Sequence, residues 1–284
     1  MRKRSFLLFF MMTCMLLQGC IQVDPNAGGT TGDHGNGTAQ KPPTSYYQNT
    51  QYDYLTSVDE NALTTGLDTA YLVLANKSTP VGADYCPEDL VSLTCPTTRP
   101  MQLDACAAAA LCEMFDEMKA AGVSDGLYVT SAYRSYEYQQ SLYQKYLNDE
   151  LSGISSNAYD CLGYDYIQEH YLDLGKTRLS MEDAKKVVLS YSAYPGTSEH
   201  QTGLCVDFIT STMGGQLTTK FENTEAFAWL SQNAYKFGFI LRYPKGKESI
   251  TGYTYEPWHY RFVGREVATD IYFGGLTLEQ YLGA

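Results

Sequence analysis

His200 and Asp207 stand seven residues apart in the stretch SEHQTGLCVDF, from Ser198 to Phe208. Asp207 interrupts an apolar run, between Val206 and Phe208. A carboxylate there is costly to bury unless it is paired or bound to a cation. The residues before it, PGTSEHQTG, are turn-rich, so His200 can fold back toward the strand. Neutral imidazole and carboxylate are both good zinc ligands. A second group lies in EPWHY, where Glu256 and His259 stand three apart beside one of only two tryptophans. With His259 as a third ligand, the set is His, Asp, His. Three protein ligands leave zinc an open position for water, the arrangement of a catalytic site. Zinc lowers the pKa of that water from about 15.7 to about 7. Glu256 is then placed to take its proton and pass it to the leaving amine. Taken singly, each histidine reads first as a hydrogen-bonded core residue; only the combination points to a metal.

Arg134, in SAYRSYEYQQ, follows a strand pattern and precedes a helical one. At such an edge a guanidinium can reach a cleft and grip a carboxylate with two parallel hydrogen bonds. Alone, it reads as a surface ion pair. Ser198, His200 and Asp207 also suggest a serine hydrolase, but a serine two residues from its histidine lacks the nucleophile-elbow context. His34 falls in a polar linker, and His170, in IQEHYLDLG, reads as structural or surface.

The elements that must position these groups can be sketched from periodicity. TAYLVLAN (69–76), GLYVTSAY (126–133), LCVDFI (204–209), FILRY and the stretch leading into EPWHYRFV read as strands. Residues 101–122 carry apolar side chains at 103, 106, 110, 111, 114, 115 and 118, which is helical spacing, and Gly122 can end that helix. SYEYQQSLYQKYLNDE, residues 180–194 with a Ser180–Asp183 capping pattern, and residues 223–238 with Gly238 as the stop are three more helices. Residues 152–165 read as a loop. Helices come first and strands dominate late, so the class is α+β.

The first twenty residues differ from the rest. MRKR is a positive n-region, and SFLLFFMMTCMLL is an apolar h-region too short for a comfortable transmembrane helix. The segment ends in LLQGC. This resembles a bacterial lipoprotein signal, which implies cleavage after residue 19 and lipid on Cys20. Residues 20–45, rich in Gly, Thr, Asn, Pro and Gln, read as a flexible tether. The folded domain is expected over 46–284. Residues 1–19 hold Arg2, Lys3, Arg4 and no acid, so their removal takes 20 bases to 17 against 32 acids, a net charge of −15. Such a surface is repelled by nucleic acid and by anionic headgroups, so any membrane attachment comes from the lipid. Tyrosine is frequent, at 25 residues. It suits polar ligands such as sugars and peptides, but half-buried packing accounts for most of it. Six cysteines follow the signal: Cys86, Cys95, Cys106, Cys112, Cys161 and Cys205. An even count in an exported chain suggests disulfides, in any of fifteen pairings. Cys106 and Cys112 are six apart on a predicted helix and face different directions.

YRS with Gln139, then SEHQTGLCVD, then EPWHYRFVG, in that order, resembles the VanY-like D-alanyl-D-alanine carboxypeptidases, zinc peptidases of the bacterial cell wall. The likeness runs from about Tyr71 to about Arg265. It implies a small antiparallel sheet with helices packed against it, as in Hedgehog and related D,D-peptidase folds. It implies one catalytic Zn2+ on His200, Asp207 and His259, with Glu256 as the base. Arg134, Gln139 and Ser198 match residues that hold the terminal carboxylate and backbone of a peptidoglycan stem peptide. The expected reaction is removal of the C-terminal D-alanine outside the membrane. L,D-carboxypeptidase action on tetrapeptides, endopeptidase action within the stem, and a zinc-stabilised wall-peptide binding module are the alternatives. The family usually has alanine two before the metal aspartate, where this chain has Cys205. A Cys161–Cys205 disulfide would brace the site; otherwise Cys205 is a free thiol close to the metal.

Overall fold

A computed structural model describes residues 69–123 and 126–284 of the 284-residue chain. The proposed signal, Cys20, the tether with His34 and the domain start at 46 lie outside the described residues.

Chain order runs from a 3-10 turn at Thr69–Leu72 through β1 (Leu90–Ser92) and β2 (Gln102–Asp104) into α1 (Ala105–Ala120). Asp104 starts α1 because its carboxylate accepts from the backbone N–H groups of Cys106 and Ala107, at 2.9 and 3.2 Å. Next come β3 (Leu127–Ser131), α2 (Tyr136–Ser152), α3 (Ser156–Leu162), α4 (Tyr164–Ile167) with a π-helical turn, and α5 (Met181–Tyr191). The late half holds β4 (Cys205–Thr210), α6 (Glu225–Asn233), β5 (Phe239–Leu241), α7 (Glu248–Thr251), β6 (His259–Phe262), α8 (Arg265–Gly274) and α9 (Leu278–Leu282).

Four of these strands form one antiparallel sheet in the order β3-β4-β6-β5, and β1 pairs with β2 separately. Side chains alternate across a strand, so each strand divides its residues between two faces. On one face Val129, Val206, Phe208, Tyr260 and Phe262 join Leu111, Met114 and Met118 of α1 in the main core. Phe208 and Phe262 are fully buried. Removing one such ring from water contributes about 1.5–3 kcal/mol. All six residues of β4 are buried, so its other face is covered as well. Gly238 stands at the entry to β5 with φ +83°, and a Cβ there would lie 2.7 Å from the Phe262 ring. The backbone conformation and the packing both require glycine.

A separate cluster sits in the helices between β3 and β4. Tyr143 and Leu147 of α2 meet Ala158, Ile167 and Tyr171 and pack on Ala184, Val187 and Val188 of α5. Ser180 caps α5 through the Asp183 N–H, at 3.1 Å, as its spacing foretold.

The mixed class is confirmed, and four local expectations are corrected. The stretch leading into EPWHYRFV holds no strand among the described elements: Glu248–Thr251 is α7, and β6 starts at His259 inside the motif. Residues 69–76 hold no strand among the described elements; Thr69–Leu72 is a 3-10 turn, and the Tyr71 and Val73 carbonyls accept from Arg261 and not from a neighbouring strand. Residues 152–165 are not a loop: Ser155 accepts from Ala158 N–H and starts α3. The Cys161–Cys205 disulfide is absent. Both thiols are free, Cys161 packing in the helical cluster and Cys205 lying in β4 of the sheet.

Candidate active site and metal centre

The face of β4 and β6 turned away from the core carries Cys205 and Asp207, His259 and Arg261. Register sets Ser131 opposite Asp207, and Asp207 opposite His259, so three polar residues form one row across three strands. A bulge between Val129 and Ser131 shifts β3 so that Ser131 joins that row. His200 arrives from a 3-10 turn, Glu199–Thr202. The turn closes on Gly203, at φ +68°, where a Cβ would press on Leu90 and Pro87 at 3.0 and 3.1 Å. The three-residue spacing of Glu256 and His259 is a reverse turn. Pro257 and Trp258 occupy its centre, and the His259 N–H donates to the Glu256 carbonyl, at 3.1 Å.

The side chains converge. His200 Nε2 lies 3.1 Å from Asp207 Oδ2, and His259 Nδ1 lies 2.9 Å from Asp207 Oδ1. Glu256 Oε2 is 3.7 Å from His259 Nδ1. Each imidazole is oriented through its other nitrogen. His200 Nδ1 is 2.7 Å from the Ala132 carbonyl oxygen, and an oxygen that only accepts leaves the hydrogen on Nδ1. His259 Nε2 faces Glu199 Oε2, at 3.1 Å. The two imidazoles thus each face one oxygen of Asp207 with their rings pinned from behind, and the donor types suit zinc. The His200, Asp207 and His259 side chains are 4–7 % exposed, whereas Arg134 and Glu256 are 21 and 20 % exposed. The donors lie deep, and the groups able to meet a substrate lie at the mouth.

A family profile described as VanY, D-alanyl-D-alanine carboxypeptidase, matches residues 100–265. The chain belongs to the VanY family. It is 33 % identical over 298 residues to a D-alanyl-D-alanine carboxypeptidase of Enterococcus faecalis (strain ATCC 700802 / V583), a match covering 99 % of this chain and 90 % of the relative. Its fold is similar to that of the LdcB LD-carboxypeptidase, with TM-score 0.58 and 33 % identity over 80 % of this chain and 92 % of that one. It is similar also to the vancomycin resistance D,D-pentapeptidase VanY from a VanB-type cassette, solved as a variant with Zn(II). That match has TM-score 0.55 and 36 % identity over 75 % of this chain and 99 % of that one.

Against that VanY background, the sequence-derived residues take distinct positions. Arg134 is braced by Ser131 Oγ at 3.0 Å and Gln139 Oε1 at 3.4 Å, and its Nη2 stands 3.5 Å from Asp207 Oδ2. Gln139 is 1 % exposed, and its amide N–H donates to the Ala193 carbonyl at 2.8 Å. In this structure Gln139 therefore supports Arg134 from below. Ser198 is buried at the start of the His200 turn. His170 stacks on Tyr166 at 4.0 Å, away from the row.

Electrostatics separate the two carboxylates. Burial alone would raise the Asp207 pKa, but His200 and His259 hold it well below the usual carboxylate range. Burial pushes the Glu256 carboxyl up to about 7, with His259 opposing the rise and Asp207 adding to it. A carboxyl with a pKa near neutrality is matched to taking and returning a proton.

Sequence reading missed a second charged group. Glu199 is fully buried, and its Oε1 accepts from Arg242 Nε at 2.8 Å and Arg261 Nη1 at 2.6 Å. Arg242 in turn makes a two-bond fork to Glu279 of α9, at 2.7 and 2.9 Å. Arg242 and Arg261 are each 0 % exposed. The available signal was the one that marked Asp207: a charge inside the apolar runs FILRY and HYRFV.

Cys205 is the chain's departure from the pattern expected of the family. Its thiol belongs to a group with His200 and His259 whose ligand atoms all lie within 4.8 Å, and Asp207, Glu256 and His259 form a second such group. The two groups share His259.

Proposed function

We propose that the protein is a zinc-dependent carboxypeptidase that removes the C-terminal D-alanine from peptidoglycan stem peptides. What carries this reading is the placement of Arg134 and Glu256 at the mouth of the His200–Asp207–His259 convergence. His200, Asp207 and His259 would hold the ion. When bound, zinc supplies a Lewis acid that polarises a carbonyl oxygen and eases proton loss from water. Arg134 grips the terminal carboxylate of the peptide, held in its orientation by Ser131 and Gln139. Ser198 supports the peptide backbone. Glu256 takes the proton of the attacking water and returns it to the leaving amine, so no acyl-enzyme forms.

Family membership and the Enterococcus relative favour the D,D specificity. The likeness to an LD-carboxypeptidase, with TM-score 0.58, favours the L,D cut as a second reading. Metal-loaded full-length protein incubated with muropeptides ending in penta- and tetrapeptides separates them by mass spectrometry. Loss of one alanine from the pentapeptide alone, abolished by chelation and by Glu256→Ala, supports D,D action. Loss from the tetrapeptide moves the specificity to L,D. Cleavage of neither by folded, metal-bound protein would refute the carboxypeptidase reading.

The lipid on Cys20 and the tether would leash the domain outside the membrane, where the substrate lies. Cys20→Ser should release the protein from the membrane fraction; unchanged fractionation would refute the anchor.

A further inference from the structure

We propose that Glu199 is the positioning residue of the metal centre, selecting which nitrogen of His259 is offered to the cation. The inference rests on the metal reading above. An imidazole has one bare nitrogen when neutral, and the partner of the other nitrogen decides which one it is. Glu199 Oε2 lies 3.1 Å from His259 Nε2 and Asp207 Oδ1 lies 2.9 Å from Nδ1; both oxygens only accept, so once a cation takes the Nδ1 lone pair the single hydrogen stays on Nε2, held by Glu199. Nδ1, turned toward Asp207 and Glu256, is then the ligand atom. Glu199 cannot swing away. Its other oxygen is held by two buried guanidiniums. Arg261 is fixed further by the carbonyls of Tyr71 and Val73, at 2.9 and 2.7 Å, and Arg242 by Glu279. The orientation of His259 is thus anchored to the chain near residue 71 and to α9 near the C-terminus.

This division of labour within one carboxylate makes Glu199→Gln a sharp probe. Arg242 and Arg261 both donate to the Oε1 position, so the amide oxygen of the glutamine must go there. The amide NH2 then falls at the Oε2 position and donates toward His259 Nε2. That nitrogen must become the bare one, and the hydrogen moves to Nδ1, which no longer has a lone pair for a cation. Glu279→Gln disturbs the same network one residue further out and leaves the His259 contact in place.

The test is a Co(II) titration of the full-length wild type and both variants, followed by visible absorption, with thermal unfolding in parallel. Glu199→Gln is expected to weaken Co(II) binding about 10- to 100-fold. Glu279→Gln is expected to lower the unfolding midpoint with Co(II) affinity within threefold of wild type. Equal affinity of wild type and Glu199→Gln would overturn the proposal. So would equal weakening by both variants, which marks a purely structural role. A wild type that binds neither Co(II) nor zinc overturns the metal reading itself, a separate result. Should Glu199→Gln not fold, 15N-histidine NMR of zinc-loaded wild type decides. The two imidazoles that respond to zinc should show one hydrogen on Nδ1 and one on Nε2; two Nδ1–H forms would overturn the proposal.

Discussion

Two buried charged clusters meet at His259. On one side Arg242 pairs with Glu199 and Glu279, and Arg261 with Glu199, two cations against two anions in three ion pairs of 2.6–2.8 Å. On the other, Asp207 and Glu256 gather around two imidazoles, and the nearest fixed cation is the partly exposed Arg134. Burying charge is costly, and a cluster offsets that cost only when its charges are matched and hydrogen-bonded. The first cluster meets that condition alone and serves as scaffold. The second holds more negative donors than fixed positive charge, the condition under which a divalent cation binds. Buried charge therefore does not by itself mark an active site; the imbalance does.

The largest way to break this contrast is at Glu256. Glu256→Gln should lower kcat by about 10²–10⁴-fold, with metal content unchanged; a small effect would deny Glu256 the role of base. A base must be unprotonated, so with Glu256 in that role kcat/KM should fall on the acid side, with an inflection at or below pH about 7. A profile lacking that limb would point to another base. The linkage has the opposite sign for stability. A carboxyl whose folded pKa is raised favours folding below about 4.5, and that contribution is lost as pH rises through about 7. The metal-free protein should therefore lose stability across this window, and Glu256→Gln should lose less.

In the balanced cluster the expected loss is of stability. Glu279→Gln should cost about 3 kcal/mol in denaturant unfolding, because it leaves Arg242 buried with half its fork. No measurable loss would mean that Arg242 finds another acceptor. Arg134→Lys sits at the boundary. It keeps the charge but not the planar fork, so kcat/KM should drop about 10- to 100-fold, chiefly through KM. A drop confined to kcat would argue against carboxylate binding. The smallest effect lies in the helical cluster, remote from both. Ser155→Ala removes the α3 cap and should cost about 1 kcal/mol, with Co(II) affinity unchanged. A change in affinity there would show that the helical cluster and the metal centre are coupled.

Much of the site was legible in residue types and spacing. Asp207 stood out because a lone carboxylate in an apolar strand needs a partner, and Glu256 with His259 because a carboxylate and an imidazole stand three apart beside a tryptophan. The same rule, applied to Arg242 and Arg261, exposes the second cluster, but Glu199 carries no such signal, because its neighbours in the turn are polar. Alternation and capping likewise disclosed β4, α1 and α5, since these depend on nearest neighbours along the chain.

The sequence by itself determined the α+β class, singled out the candidate ligands and disclosed the strand that carries Asp207. Local periodicity and the cost of isolated charge are properties of short segments. Only the tertiary structure decided that residues 69–72 turn instead of extending, that Cys161 and Cys205 sit in different clusters, and which carboxylate each nitrogen of His259 faces. Each of these depends on partners far away along the chain: a strand edge, a thiol, a buried carboxylate held by two arginines.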